Sequence, residues 1–227
     1  MVDKLCIAYN QTKTFCEDKE LTINPAKSQF IIFKQASKKL PEEIHITLDN
    51  CIIKPSDCVQ LLGMTLDKHI TFKQHIESVV QKCHGLLGVL ARSAPFLSTD
   101  LLKMAYVSLI RTQLEYCSAN FATSAKSHLL KLDVVQKMAS RVICRAPRNA
   151  HSAPLLQSLQ LDSLESRRNA HIVLLVSQIL EGNSHPGLNH MFTLGEHGTA
   201  VNEIVPRLQI GKRRFSTYAK LLYNDSL

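Results

Sequence analysis

Residues 61–76, LLGMTLDKHITFKQHI, mark the place where the hydrophobic pattern of the chain changes. Before this place apolar residues alternate with a period of two, and the pattern predicts that Leu62, Met64 and Leu66 lie on one side of a strand. After Phe72 apolar residues recur at intervals of three and four, which is typical of helices. The sequence therefore predicts an α+β protein, with a small helix-plus-antiparallel-strand region followed by a mostly α-helical bundle.

The region before the change, residues 1–72, is predicted to contain a helix and short strands. A helix is expected over 2–19, an apolar strand over 29–33, and a hairpin over 44–53 that turns at Asp49-Asn50. The part from Leu62 to Leu66 completes this first domain.

The region after Phe72 is predicted to hold four helices. The first is ended by Pro95, and the second opens after the cap region Ser98-Thr99-Asp100. The third covers 126–145, and the fourth covers 164–181 with Gly182 as a natural stop. We assign 73–182 to a helical domain and 183–227 to a loop and a basic C-terminal tail.

The net charge of +8 is distributed unevenly between these regions. Residues 1–72 contain nine basic and nine acidic side chains, so the whole excess of positive charge lies in 73–227. An anionic partner for the helical part is therefore plausible from charge alone.

The cysteine pattern and the apolar runs indicate a protein of the cytoplasm or the nucleus. Seven cysteines are present, and no two stand at Cys-x-x-Cys spacing, which argues against a disulfide framework or a zinc ribbon. The first residues lack a secretory signal, and the longest aliphatic run, IVLLV at 172–176, is far shorter than the ~20 residues of a membrane span. No membrane association is expected.

No catalytic or metal site is predicted. The adjacent acids, Glu17-Asp18 and Glu42-Glu43, do not follow an apolar strand, where a pair of metal-binding carboxylates is usually held. Histidines gather at two places with spacings that lack two clean ligand pairs, so a zinc module remains a minor alternative. The residues of these two groups are His69, His75, Cys83 and His84, and then His185, His190 and His197.

A basic stripe on the third predicted helix is the best candidate for a binding surface. Lys137, Arg141 and Arg145 recur every four residues, and Arg148 follows three residues later. A second face of the same helix is predicted to turn inward with Val135, Met138, Ala139 and Val142. Such a stripe could follow a phosphate backbone, although an ordinary solvated face explains the charges equally well. Arg167, Arg168 and the run at 212–214 are weaker additions, and the scarcity of aromatic residues argues against base stacking.

The order of several motifs resembles the reverse transcriptases of LINE-type (non-LTR) retrotransposons, in particular jockey- and CR1-like elements. KTFCEDKELTINPAKSQFIIF is similar to the segment that follows the catalytic aspartates, and VQLLGMTLDKHITFKQHI is similar to the primer grip and the start of the thumb. LLKLDVVQKMASRVICR and LLQSLQLDSLESRRNAH resemble later thumb helices. The resemblance extends over essentially the whole chain.

The resemblance implies roles for a few residues. Lys27 matches the family's post-catalytic lysine, which would protonate the pyrophosphate leaving group. Leu62, Gly63 and Met64 match the primer grip, where a glycine would let backbone approach a primer strand closely. The family's fingers and catalytic aspartate motifs have no counterpart in these residues, so we expect no magnesium cofactor and no polymerase activity from this chain alone.

We therefore expect a fragment of an RNA-directed DNA polymerase that retains binding to an RNA–DNA or DNA duplex through the phosphate backbone. One alternative is a helical protein-interaction module, whose partner would cover palm strands left exposed. Another alternative is a coding relic with no selected role.

Overall fold

A computed structural model describes residues 2–35, 37, 44–49, 51–192, 201 and 215–226. The chain divides into two compact units, Met1–Phe72 and Lys73–Leu227. The first unit combines a helix with two small antiparallel sheets and the second is helical, so the predicted α+β class is confirmed.

The first unit is built from one helix and two hairpins. Helix α1 covers Val2–Glu17. Strands β1 (Ile46–Leu48) and β2 (Cys51–Ile53) pair antiparallel with Leu48 opposite Cys51, as the sequence predicts. Asp49 begins their turn at φ 45°, and Asn50 lies outside the described residues.

The core of the first unit is small. Phe30, Ile46 and Leu48 are buried together, and Tyr9 packs against them. The Tyr9 hydroxyl donates to Asp49 Oδ2 at 2.8 Å, which ties α1 to the hairpin turn.

The predicted strand at 29–33 is wrong. Among the described residues Phe30 forms only an isolated parallel bridge to Pro55, where Ser56 N donates to Phe30 O at 2.6 Å. The bridge does not extend into a ladder, so residues 29–33 form no strand in the described chain. The apolar content of residues 29–33 thus suggested a strand, but a strand also needs a pairing partner, which the local sequence does not reveal.

The predicted single strand through Leu62, Met64 and Leu66 is also wrong. Strands β3 (Cys58–Leu61) and β4 (Met64–Asp67) form a second hairpin, in which Leu61 lies opposite Met64. Leu62 and Gly63 connect the strands with φ angles of 47° and 82°. Two positive φ angles define a type I′ turn, whose twist matches that of antiparallel strands.

Asp67 organises the segment that leaves this hairpin. Its carboxylate accepts hydrogen bonds from the backbone N–H groups of Phe72 at 2.7 Å, Thr71 at 2.9 Å and His69 at 3.0 Å. Burial alone would raise the pKa of the Asp67 carboxyl, but the hydrogen bonds outweigh it and lower that pKa below its ordinary value. The segment is thus held in shape by one ionised side chain.

The second unit contains eight α-helices among the described residues. The first seven are α2 (Lys73–Ser93), α3 (Thr99–Ala105), α4 (Thr112–Glu115), α5 (Ser118–Phe121), α6 (Lys126–Ile143), α7 (Ser152–Ser158) and α8 (Leu164–Leu180). The second predicted helix is capped by Ser98 and comprises α3, a π-helical turn at Tyr106–Arg111 and α4. The four predicted helices begin and end close to the observed bounds, and Gly182, at φ 77°, follows α8 as expected.

The C-terminal residues add to the helical unit. A 3₁₀ turn at Pro186–Met191 and helix α9 (Phe215–Asp225) follow α8. Ala219 of α9 is buried with Ile172 and Val176 of α8 in one cluster. Part of the predicted loop and tail therefore packs in the core of the second unit.

The hydrogen bonds of Asp67 make the stability of the first unit depend on pH. The folded pKa is lowered, so the stabilisation is fully present above the unfolded pKa of ~3.9 and is lost as the pH falls through the folded pKa. We expect Asp67→Asn to lower the free energy of unfolding at pH 7 by about 1 to 2 kcal/mol and to flatten this acid dependence. Hydrogen exchange of the Thr71 and Phe72 amides checks this expected loss of stability. Unchanged protection of these amides in the variant would contradict the stabilising role of Asp67.

Candidate nucleic-acid interface

The residues that match the primer grip occupy three different environments on the β3–β4 hairpin. Leu62 stands at the tip with 85% of its surface exposed, whereas Met64 is buried at 7%. Gly63 occupies the second turn position, where its positive φ requires a residue without Cβ. The hairpin therefore presents an apolar side chain to solvent at its tip.

Lys27 lies at the end of a short 3₁₀ turn, Pro25–Lys27. Asn24 Oδ1 accepts from Ala26 N at 3.0 Å, which caps this turn. The side chain of Lys27 is exposed and forms no ion pair with the described residues. Asn24 thus stabilises the turn, whereas the side chain of Lys27 extends from it into solvent.

The basic stripe of α6 reaches the surface. Lys137, Arg145 and Arg148 are exposed, and Arg141 is half-buried. The inward face is shifted from the prediction: Val135 and Ala139 are fully buried together with Gln136 and Ser140, whereas Met138 and Val142 are half-buried. These last two line a groove beside the arginines.

The groove lies between the C-terminal ends of α2 and α6. The two helices run parallel, since Lys131 pairs with Glu77 at 2.6 Å near one end and Arg145 bonds to Ala94 at the other. We call it the α2–α6 groove; its volume is about 640 Å³. Its lining consists of Ala91, Ala94, Pro95, Met138, Arg141, Val142, Arg145, Ala146 and Arg148.

Arg145 holds the two walls of the groove together. Its Nη2 donates to the carbonyl oxygens of Ala94, at 2.9 Å, and Leu97, at 2.5 Å, just beyond α2. Orphan carbonyls and the negative end of the helix dipole favour a cation there. The charge of Arg145 is therefore fixed in place by backbone acceptors.

The backbone of Arg145 also ends α6. Its N–H donates to Val142 O at 3.2 Å and that of Ala146 donates to Arg141 O at 2.9 Å, the bonding pattern of a Schellman motif. Arg145 takes the left-handed position of this motif at φ 52°, where glycine is usual. A residue with Cβ costs about 1 to 2 kcal/mol in this conformation.

The other two arginines of the groove differ in how firmly they are held. Arg141 Nε donates to Ala150 O at 2.9 Å, and its Nη1 donates to Lys137 O at 3.2 Å. Arg148 makes no hydrogen bond or ion pair with the part of the chain that the structure describes. None of the three groove arginines forms an ion pair with a described carboxylate.

Arg167 and Arg168 do not join this surface. Arg167 makes a forked hydrogen bond to the carboxylate of Glu115, with Nη2 at 2.9 Å from Oε2. Arg168 is only 4% exposed, and burial lowers its pKa. The burial of Arg168 could have been predicted from the sequence. Leu164, Arg168 and Ile172 follow one another at intervals of four residues and so lie on the face of α8 that packs against the core. Glu115 itself was not anticipated.

The remaining sequence candidates do not form a metal site. No group of three or more His, Cys, Asp or Glu side chains that could hold a metal ion occurs among the described residues. His75 is buried against Phe121, with ring centroids 5.6 Å apart, and burial lowers its pKa. His69 Nδ1 lies 2.9 Å from Lys34 O. The basic run at 212–214, together with His197, lies outside the described residues.

The helices are also too short or too polar to serve as membrane spans. Across the described ranges, none combines the length and the apolar character that crossing a bilayer requires.

Leu62 carries a conformational cost that a substitution can relieve. Asparagine is favoured at the first position of a type I′ turn, so we expect Leu62→Asn to raise the free energy of unfolding of the first unit by about 0.5 to 1 kcal/mol. Urea unfolding measures the gain. Gly63→Ala is the opposing variant, expected to destabilise by about 1 kcal/mol. Equal stabilities of the two variants would contradict the turn assignment.

Arg145 permits the backbone and side-chain effects to be separated. Arg145→Ala loses the bonds to Ala94 and Leu97 and keeps the strained backbone, whereas Arg145→Gly loses the same bonds and relieves the strain. We expect the alanine variant to be less stable than the glycine variant by about 1 kcal/mol. Chemical denaturation of the two proteins, side by side, provides the measurement. An alanine variant as stable as the glycine variant would show that φ at this position carries no cost.

Known proteins similar to this chain are polymerases of mobile elements. A probable RNA-directed DNA polymerase from transposon BS of Drosophila melanogaster is 26% identical over 160 residues, which cover 69% of this chain and 18% of that protein. The RNA-directed DNA polymerase from mobile element jockey is 25% identical over 153 residues in D. melanogaster, covering 66% of this chain and 16% of that protein. Its counterpart in Drosophila funebris is 28% identical over 134 residues, covering 56% of this chain and 14% of that protein.

The chain thus spans less than a fifth of the length of these curated relatives. No protein-family model matches it. No solved structure matches it either. The similarity to these three polymerases supports the derivation of the chain from a LINE-type (non-LTR) retrotransposon reverse transcriptase.

Proposed function

We propose that this chain binds nucleic acid, as the duplex of a primer and its template, through phosphate contacts from Lys137, Arg141, Arg145 and Arg148. One observation carries the proposal: the groove arginines meet no carboxylate among the described residues. Three other cations of the helical unit, Arg111, Lys131 and Arg167, do pair with a described carboxylate. Unmatched arginines held at a surface are suited to bind phosphate.

The spacing of the stripe supports a polymeric anion. Four residues of helix rise about 6 Å, so Lys137 and Arg141 lie one turn apart on α6, and Arg145 follows just beyond the end of the helix. Two of these side chains are already oriented by backbone acceptors, Arg141 by Ala150 and Arg145 by Ala94. Less side-chain entropy is then lost when they contact phosphate.

The hairpin tip is proposed as a second contact. Leu62 is exposed next to Gly63, and the turn is narrow enough for backbone to approach a nucleic-acid strand. This contact corresponds to the primer grip of the family. Since these 227 residues contain no adjacent pair of aspartates, we further propose that the chain by itself holds a primer and template without copying it.

A protein partner of the first unit is a second candidate. Large apolar side chains are exposed there, among them Phe15 at 61%, Leu21 at 59% and Ile52 at 67%. Exposed apolar surface of this kind is typical of protein interfaces. Size-exclusion chromatography with light scattering discriminates, because a monodisperse monomer argues against self-association through these residues.

Nucleic-acid binding can be tested by reversing the charge of the two stripe residues whose side chains make no hydrogen bond to the described chain. Lys137 and Arg148 are exposed, and their side chains make no hydrogen bond to the described chain. We expect Lys137→Glu with Arg148→Glu to weaken binding to an RNA–DNA hybrid at least tenfold and to reduce the slope of log K against log salt by about two, since each lost phosphate contact removes about one counterion.

Lys126→Glu is the matched control. It makes the same charge change as Lys137→Glu alone, on the same helix and about 16 Å away along the axis, and we expect it to change affinity far less than that single variant does. Fluorescence anisotropy from 50 to 200 mM salt measures the series, with a primer-extension assay run in parallel. Equal affinity of the double variant and the control would overturn the proposed surface. Templated DNA synthesis by the pure chain would overturn the absence of copying.

A further inference from the structure

The α2–α6 groove offers hydrogen-bond donors and no side-chain acceptor. Its lining has six apolar residues and three arginines, and arginine carries only donors. Two backbone carbonyls of the lining are already engaged, since Ala94 O accepts from Arg145 Nη2 and Arg141 O accepts from Ala146 N. A ligand that enters the groove therefore needs an apolar body and acceptor atoms at its edge.

We propose that the groove receives an unpaired keto base, guanine or uracil/thymine, from a nucleic acid whose flanking phosphates lie on the α6 stripe. The proposal rests on the nucleic-acid binding proposed above and names what the groove adds to it. Guanine presents O6 and N7 as acceptors, and uracil and thymine present carbonyl oxygens. On the same edge adenine presents N7 beside an amino donor and cytosine presents an amino donor, so each would set a donor against the arginines.

The shape and the chemistry of the groove suit a single base. Its volume of about 640 Å³ lies in the range of pockets for drug-sized ligands and is ample for one base together with its sugar. The flat face of a base can pack on the methyl and methylene groups of Ala91, Met138 and Val142, and on the plane of a guanidinium. The few aromatic residues of the sequence argued against stacking, but arginine supplies a planar surface without them.

The guanidinium groups retain donors for such a ligand. Arg145 uses Nη2 for Ala94 and Leu97, so its Nε and Nη1 make no bond to the described chain. Arg141 uses Nε and Nη1, which leaves Nη2. Each group is thus held in orientation by one side and open on the other.

A nucleic acid fits this surface better than an acidic peptide. Positive charge extends beyond the groove, because Lys137 is exposed eight residues before Arg145 in the sequence. A strand of nucleic acid carries one phosphate beside every base, so a base in the groove brings regularly spaced charge to the stripe. The carboxylates of a peptide have no such fixed relation to an apolar group.

The test compares RNA–DNA hybrids that are blunt or end in three unpaired nucleotides of a single type. We expect the intact 227-residue chain to bind hybrids with G or U overhangs about tenfold more tightly than hybrids with A or C overhangs. Ala91→Trp fills the groove from an exposed position of α2 and retains every arginine. We expect it to abolish the preference and to leave affinity for the blunt hybrid unchanged.

Val89→Trp is the matched control, because Val89 is exposed on the same helix and does not line the groove. It should keep the preference, and circular dichroism verifies the fold of both variants. Should Ala91→Trp be misfolded, Ala91→Leu replaces it as a smaller filling.

Two results would overturn the keto-base site while leaving duplex binding intact: salt-dependent binding of the blunt hybrid with equal affinity for all overhangs, or a preference that survives in Ala91→Trp. A competition experiment tests a peptide site instead, with a peptide of alternating Glu and Leu and an oligo-G strand as competitors at equal concentration. If the peptide displaces the G-overhang hybrid more completely than the oligo-G strand does, the keto-base site is overturned in favour of a peptide site. Absence of any hybrid binding would instead overturn the proposed function itself.

Discussion

The interaction of Arg145 with the end of α2 determines the shape of the candidate interface. Its guanidinium donates to Ala94 O and Leu97 O, while its own backbone ends α6 in the left-handed conformation. One residue therefore terminates a helix, caps a second helix and carries a charge of the groove. Because the two helices are parallel, the cap brings their C-terminal ends together, and the carbonyls there stabilise the positive charge of Arg145.

The same combination of strain and exposure is found at the hairpin tip. Leu62 and Arg145 both adopt positive φ angles that glycine would adopt at lower cost. Each nevertheless keeps a large side chain, apolar and 85% exposed at Leu62 and cationic at Arg145. Backbone strain of this kind often accompanies functional sites, since the conformation is retained for what the side chain contacts. The two candidate contacts share this feature although their chemistry is different.

Helical segments were easier to predict than strands. A helix is a local structure whose apolar spacing is visible in sequence, so α6 and α8 begin at the predicted residues and end within two residues of the predicted positions. Pairing of Phe30 depends on a distant residue, Pro55, which the local pattern does not include. The turn at Leu62 and Gly63 lacks the Asn-Gly signature of a hairpin. The alternation of apolar residues at Leu62, Met64 and Leu66 was therefore interpreted as one continuous strand.

The sequence by itself indicated the resemblance to LINE-type reverse transcriptases, the α+β class and the series of cations from Lys137 to Arg148, because these depend on the order of motifs and on local spacing. Only the tertiary structure decided which cations are open to a ligand. Arg168 is buried, Arg167 is matched by Glu115, and Arg145 is capped onto α2. Each of these outcomes depends on carbonyls, carboxylates or apolar side chains that lie tens of residues away in sequence. Local spacing cannot reveal such partners, because they become neighbours only when the helices pack.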